Sequence, residues 1–379
     1  MTAGMSRSVV ARAPGKLFVA GEYAVVSPGE PAVLVAVDRF LTATLTPHGG
    51  DGGRIASPAL SASPLPWRRA ADGSIAIDGT GRAAYLASLL TLADRLRAER
   101  GIAPAGFDLA IDSGLDDDAG RKLGLGSSAA VVVATARALD AHLGLGLQPH
   151  ELFRLCLLAT VRVAPAASGG DLAASCLGGW VGYRSPDRAA LARVVDAEPV
   201  ERVLAHEAWR RSRLEALPAP RDLRLLVGWT GSPAATTRLV ADVAARIGAD
   251  AHAAFVRASR SVVAQLGDGL AAGDDGAVLD AVRRARDLLQ GLGAGAGVGI
   301  ETERLRVLCD TAVAHGAAAK TSGAGGGDCG IALAPPDADA VGIVEAWHAN
   351  GILPLPLRVA DARSVARVEH VEGGRREIA

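Results

Sequence analysis

Apolar residues fall in short runs along this chain, and their spacing changes from segment to segment. Val9-Val10-Ala11 reads as a short strand, Pro14-Gly15 as a break, and 31–38 as a β-branched run. From Phe40 to Pro47 the pattern alternates, with Leu41, Ala43 and Leu45 on one face and Thr42, Thr44 and Thr46 on the other. That is the period of a half-buried strand. A loose turn is expected at 49–53 and an irregular stretch at 57–69, which carries Pro58, Pro64 and Pro66. Leu86, Leu89, Leu90, Ala93 and Leu96 recur at helical spacing within 82–97. Strands are expected at 106–112 and 180–183, and a helix from Ser127 or Ser128.

The chain then turns polar and Pro-rich until about residue 220. A domain boundary is expected in that stretch, dividing an N-terminal domain, 1–205, from a C-terminal one, 206–379. Beyond it the pattern predicts a strand at 223–229, helices near 233–247, 251–272, 276–290 and 301–315, and strands near 329–334 and 355–360. The last fifteen or so residues are charged and expected to be loose. Strands and helices mix without regular βαβ alternation, so the expected class is α+β.

With 379 residues, 49% of them hydrophobic, the chain can bury one large core or two ordinary ones. A charged fraction of 21% and a net charge of −1 exclude a disordered chain and a polybasic nucleic-acid binder. Apolar runs are cut by Arg, Asp or Gly well short of the ~20 residues of a membrane span, and nothing resembles a signal sequence. Cys156, Cys176, Cys309 and Cys329 lie far apart, with no CxxC and no His at ligand spacing. Reduced thiols in a soluble cytoplasmic protein are the expectation.

One detail changes the picture. Of the 40 basic residues only Lys16, Lys122 and Lys320 are lysine. Where arginine serves everywhere else, a retained lysine marks a place for a compact, flexible ammonium. Each of the three lies within four residues of a glycine-rich run.

The strongest local signal is Gly124-Leu125-Gly126-Ser127-Ser128-Ala129-Ala130. Two glycines allow a tight turn and close approach to a ligand, and the serines would cap a helix whose first N–H groups suit a di- or triphosphate. A serine hydroxyl can also join a magnesium shell. An ordinary turn with a serine cap has the same spelling. A second run, Lys320-Thr321-Ser322-Gly323-Ala324-Gly325-Gly326-Gly327-Asp328-Cys329-Gly330, leads into an apolar strand. It reads as a loop kept for close backbone approach, with a flexible linker as the alternative. A third, Gly291 to Gly297, follows a helical pattern and not a strand, so it is no dinucleotide fingerprint and is expected to be a helix-to-helix loop. Gly15-Lys16 lacks the spacing of a P-loop. In Ser168-Gly169-Gly170-Asp171, the carboxylate either needs a cationic partner or caps a short helix at 172–176.

Taken in order, from Pro14 to about Leu333, these segments resemble the three signature motifs of the GHMP kinase superfamily. The resemblance implies an N-terminal domain similar to part of a ribosomal protein, followed by a ferredoxin-like domain. Ala13 to Val25, with Gly21-Glu22-Tyr23, resembles the members that phosphorylate 5-phosphomevalonate, as do Lys122, Trp229 to Thr236 and Gly327-Asp328-Cys329. The implied reaction is transfer of the γ-phosphoryl group of ATP onto the phosphate of (R)-5-phosphomevalonate in the mevalonate pathway of isoprenoid biosynthesis. The implied partners are these small molecules and Mg2+, with neither nucleic acid nor membrane.

Carried onto this sequence, the resemblance makes Lys16 and Asp171 catalytic. Lys122, Gly124, Leu125, Gly126, Ser127, Ser128 and Ala129 would bind ATP, and Ser128 and Asp171 the metal. Lys16, Tyr23, Ser168, Gly169, Ser232, Thr236, Ser322, Gly323, Ala324 and Gly325 would meet the acceptor. One departure stands out: where mevalonate kinases carry a magnesium-binding Glu eleven residues before the Asp, this chain has Thr160. The competing readings are a mevalonate kinase or another small-molecule kinase of the superfamily, and a non-catalytic sensor on the same fold.

Overall fold

The computed structural model describes residues 7–78, 81–117 and 120–371. Two sheets organise them. The larger runs Val368–Val371, Ser8–Ala20, Pro31–His48, Gly106–Ser113, Gly52–Ala56, Leu65–Arg69, Ile75–Ile77 in spatial order. Pro31–His48 is long enough to take two neighbours on one edge: residues 31–35 pair with Trp180–Arg184, and 41–48 with Gly106–Ser113. Arg213–Leu217 pairs in turn with Trp180–Arg184. The pairing is antiparallel throughout the described residues except between Gly52–Ala56 and Gly106–Ser113. Helices Ala84–Glu99, Ser127–Leu143, Pro149–Val163 and Gly170–Leu177 form the layer packed on this sheet.

The smaller sheet has the order Ala318–Thr321, Cys329–Ala334, Arg224–Trp229, Leu353–Leu355. Numbered along the chain that is 2-3-1-4, the ferredoxin-like arrangement. The helices Thr236–Arg246, Ala249–Ala272, Asp275–Ala296 and Glu303–Ala314 fill its first crossover and Ala340–Ala349 the second. The α+β class and both domain folds expected from the motifs are therefore present. The strands change sheet between Leu217 and Arg224, and Val368–Val371 returns to the first sheet.

The apolar core is continuous across the two sheets. Leu17, Phe18, Val35 and Leu157 belong to the same buried cluster as Val227, Trp229, Leu266 and Ile331. A smaller cluster around Leu308, Ile343 and Trp347 closes the far side of the second sheet.

Several local expectations shift. Pro14-Gly15 does not end the first strand; the register slips there and pairing resumes, a bulge in one strand from Ser8 to Ala20. Strands Gly52–Ala56 and Leu65–Arg69 occupy parts of the expected turn and irregular stretch. Gly291 to Ala296 is helix, with Gly297 as its cap. Burial of Leu289, Leu292 and Ala296 against Phe255 and Tyr23 outweighs the poor helix propensity of glycine. The strand expected at 355–360 is Leu353–Leu355. Residues 372–379 of the expected loose end lie outside the described residues. All four cysteines are free and buried. No helix among the described residues is long and apolar enough to cross a membrane.

Candidate active site

Lys16 lies just past the bulge in Ser8–Ala20, and its backbone N–H donates to the carbonyl of Leu125 at 2.9 Å. Strand and first glycine loop are thus stitched together at this residue. Its side chain is 9% exposed and its Nζ sits 3.4 Å from Asp171 Oδ1 and 5.5 Å from the centre of the Phe18 ring. The pair is a charge contact, with Asp171 on the open side at 39% exposure.

Asp171 is the second residue of Gly170–Leu177, whose N-cap is Gly169 in a left-handed conformation. The helix-cap alternative for Asp171 is thereby excluded: the helix begins before it, and its side chain points at Lys16. The N-terminal end of a helix favours a carboxylate. At the opposite end Arg137 donates to the carbonyls of Cys176 (2.6 Å) and Arg12 (2.6 Å), and Ser175 donates to Pro14 at 2.8 Å. The helix carrying the acid is bolted to the strand carrying the lysine.

The serines of the first glycine loop are not caps. Gly126, at φ 83°, is the N-cap of Ser127–Leu143, without a side-chain capping bond, and Ser127 and Ser128 are its first helical residues. The N–H groups of Ser127 and Ser128, at the head of the helix, have no intrahelical partners and can meet an anion, whereas the Ala129 N–H donates to the Gly126 carbonyl at 3.0 Å; Ser128 is exposed. Both glycines make room for a neighbour. A Cβ on Gly126 would fall 2.8 Å from Lys16 Cε. One on Gly124 would fall 2.5 Å from the Cβ and Cγ of Asp328. Leu125 and Ala129 are buried, and Lys122 is exposed at the mouth of the loop.

The second glycine loop is fastened to the first strand by a dense set of bonds. Ser322 Oγ accepts from the Phe18 N–H at 2.8 Å and donates to the Phe18 carbonyl at 3.0 Å. Tyr23 Oη donates to the Ala324 carbonyl at 2.6 Å, and burial pushes the phenol pKa up. Lys320, fully buried, bonds Glu22 Oε1 and, at 2.6 Å, the Thr321 carbonyl; the Gly323 N–H reaches the same carboxylate at 3.4 Å. Gly326 N–H donates to Ile300 at 2.8 Å beside Gly325. The loop is no flexible linker. The polar groups of Ser322 and Tyr23 are already engaged, so these residues shape the loop more than they present free donors.

Ser168 and Gly169 lead directly into Asp171. The Ser168 carbonyl accepts from Tyr183 Oη at 2.7 Å, while Arg188 holds the carbonyls of Ala166 (2.8 Å), Ala167 (2.5 Å) and Val26. Ser232 and Thr236 are exposed; the Ser232 carbonyl accepts from the Asp328 N–H at 2.8 Å. Residue-type reasoning passed over Glu22, Arg188 and Asp328 as site residues. Glu22 and Asp328 lay within quoted motifs, whereas Arg188 has no sequence signal at all.

The two residues expected to hold the metal offer oxygen donors, the carboxylate of Asp171 and the exposed hydroxyl of Ser128. That set suits magnesium, which takes one or two carboxylates and keeps phosphate oxygens and water for the rest. Thr160 offers no substitute for the expected Glu: it is buried and its hydroxyl donates to the Cys156 carbonyl at 3.0 Å. No cluster of three His, Cys, Asp or Glu side chains that could hold a metal occurs among the described residues.

Fold and site together define a class. The family model of the GHMP kinases N terminal domain matches residues 87–179, and that of the GHMP kinases C terminal matches 268–353. The chain belongs to the GHMP kinases. It is 45% identical to the phosphomevalonate kinase of Streptomyces sp. (strain CL190), over 95% of this chain and 99% of that protein. It is 30% identical to a mevalonate kinase of Pyrococcus horikoshii, over 97% and 99%. Among solved structures, Streptococcus pneumoniae phosphomevalonate kinase in complex with phosphomevalonate and AMPPNP superposes with a TM-score of 0.80 at 28% identity, covering 92% of this chain and 99% of that one. Within the class, the chain's family is that of the phosphomevalonate kinases.

Proposed function

We propose that this protein transfers the γ-phosphoryl group of ATP to the phosphate of (R)-5-phosphomevalonate, giving (R)-5-diphosphomevalonate and ADP, in the cytoplasm. The observation that carries the chemistry is the Lys16–Asp171 pair at 3.4 Å, set against Gly126 at the start of a helix without a side-chain capping bond. An acceptor phosphate oxygen attacks the γ-phosphorus while the bond to the β-bridging oxygen breaks. Such a transfer is catalysed by positioning and by neutralising charge.

In this reading Lys122 and residues 124–129 hold the ATP phosphates, and Lys16 bridges the acceptor and the γ-phosphate. Asp171 and Ser128 would hold magnesium, which supplies positive charge to the β- and γ-phosphates. The acceptor, a phosphate monoester with a second pKa of ~6, is already mostly ionised at neutral pH. Asp171 therefore serves chiefly to orient Lys16 and the metal. Ser168, Gly169, Ser232, Thr236 and the 322–325 loop, held in shape by Tyr23, form the acceptor side. Domain 1–205 supplies the nucleotide loop and the acid, and domain 206–379 closes the site with its glycine loop.

The test is ADP release with Mg2+ and ATP, offering phosphomevalonate and mevalonate side by side. Turnover of phosphomevalonate alone, abolished in Lys16→Met, is expected. Turnover of mevalonate alone would replace the acceptor assignment, and turnover of neither would favour a different acceptor or a sensor.

A further inference from the structure

Asp328 occupies an unusual position. It is a non-glycine residue with φ 54°, in the left-handed region that ordinary side chains avoid. Strain of this kind persists only where the surroundings over-determine it, and here they do. Its carbonyl accepts from both the N–H and the hydroxyl of Thr230, each at 3.0 Å. Its N–H donates to the Ser232 carbonyl at 2.8 Å, and its Oδ1 accepts from the Ala234 N–H at 3.0 Å. One residue thus gathers the whole 230–234 segment onto the end of the second glycine loop.

The same side chain reaches the other domain. The space that Gly124 leaves by lacking a side chain is filled by the Asp328 carboxyl: a Cβ at Gly124 would lie 2.5 Å from its Cγ and 2.9 Å from Oδ1. The first glycine loop therefore receives Lys16 at Gly126, from a strand of the first sheet, and Asp328 at Gly124, from the loop just before Cys329–Ala334 of the second. Asp328 is also within electrostatic reach of Lys16, Asp171 and Lys122.

We propose that Asp328 is a positioning residue that fixes the spacing between the nucleotide loop at 124–128 and the acceptor-side segments 230–236 and 322–327. This rests on the phosphoryl-transfer reading above. In-line transfer demands that two separately bound polyanions meet within a fraction of an ångström, and a misplacement of about 1 Å costs roughly 100-fold in rate. Asp328 touches both binding loops at once. Aspartate and asparagine tolerate the left-handed backbone and both can accept from Ala234. The geometry therefore requires the shape and acceptor oxygen of this side chain, not its charge.

Two variants separate these properties. Asp328→Asn keeps the shape and the acceptor; Asp328→Gly keeps the backbone conformation and removes both. Asn should hold kcat within about threefold of wild type, while Gly lowers kcat by roughly 30- to 100-fold with KM for ATP nearly unchanged. Affinity for a non-hydrolysable ATP analogue, measured by calorimetry without acceptor, should also stay within about threefold. Equal damage from Asn and Gly, wild-type turnover in Gly, or a loss of analogue affinity matching the loss of kcat would each overturn the proposal.

A second readout is independent of the acceptor. Gly124→Ala should depress the thermal midpoint clearly more in wild type than in the Asp328→Gly background, where the colliding carboxyl is gone. Equal depression in both would also overturn the proposal. If this coupling holds while wild type turns over no phosphomevalonate, the acceptor assignment alone has failed.

Discussion

The buried pair of Lys320 and Glu22 invites a direct test. Lys320 is 0% and Glu22 3% exposed at the side chain, and between them they serve the Thr321 carbonyl and the Gly323 N–H. Lys320→Met removes the ammonium and leaves a carboxylate with no cation in an apolar enclosure. Breaking one side of a buried ion pair costs about 3–5 kcal/mol, whereas replacing both partners by neutral groups of similar volume is often close to neutral. Lys320→Met and Glu22→Gln should therefore each lose about 3–5 kcal/mol, and the double variant should recover most of that loss, a coupling far beyond additivity. Guanidinium unfolding of the four proteins at pH 7, followed by tryptophan fluorescence, measures it. Single losses of under about 1 kcal/mol, the range of a solvated surface pair, or a double variant no better than the worse single one, would refute the argument that this pair is desolvated and mutually dependent.

Other outcomes follow from the site. Gly126→Ala puts a methyl group 2.8 Å from Lys16 Cε on a φ of +83°; kcat should fall by roughly 100-fold, and a near-normal rate would show that Lys16 does not need its present path. Asp171→Asn should lose activity at every pH; a defect confined to below about pH 6.5, where the acceptor phosphate begins to protonate, would make Asp171 a true base. Burial raises the Asp328 pKa, with Lys16 and Lys122 opposing the rise and Asp171 adding to it. Between the ordinary carboxylate range and that raised value the unfolded chain binds fewer protons than the folded one, so stability falls as pH rises through this window. Asp328→Asn should thus be more stable than wild type at pH 7, with the gain vanishing below about pH 3.5, under the unfolded-state value of ~3.9. A gain that is absent, or constant with pH, counts against the sign.

The three lysines show both how far the sequence could be read and where reading stopped. Their scarcity marked three special places, and each is special for a different reason. Lys16 faces Asp171, Lys320 is buried against Glu22, and Lys122 stands exposed at the mouth of the loop. Composition could flag all three but could not sort the buried ion pair from the site. Periodicity found the alternating strand at 40–47 and the helices of the second domain because one face of each is apolar. It broke off the helix at Gly291, because glycine content is local information and the packing of Leu292 and Ala296 is not. Ser127 and Ser128 were expected as caps from their residue type, yet Gly126 takes that position because its left-handed backbone brings the loop past Lys16. Asp328 and Arg188 were out of reach for a plainer reason: Asp328 bonds Ala234, 94 residues away, and fills the space at Gly124, while Arg188 ties Val26, 162 residues away, to Ala166 and Ala167.

The strand Val368–Val371 pairs with Ser8–Ala11, and just before it the Arg358 and Ala360 backbones bond Asp38 and Ala36. The order of synthesis gives this closure a cost. A nascent chain emerges N-terminus first and its domains ordinarily fold as they appear, but Ser8–Ala11 at the outer edge of this first sheet stays unpaired until Val368–Val371, more than 350 residues later, has been translated. An open edge is a template for pairing with another chain. A ribosome stalled anywhere before residue 368, or a message truncated there, would release a product in which Ser8–Ala11 is left as an exposed edge. Val368–Val371 thus acts as a late seal, and only a product that extends through it covers Ser8–Ala11, the start of the strand that carries Lys16.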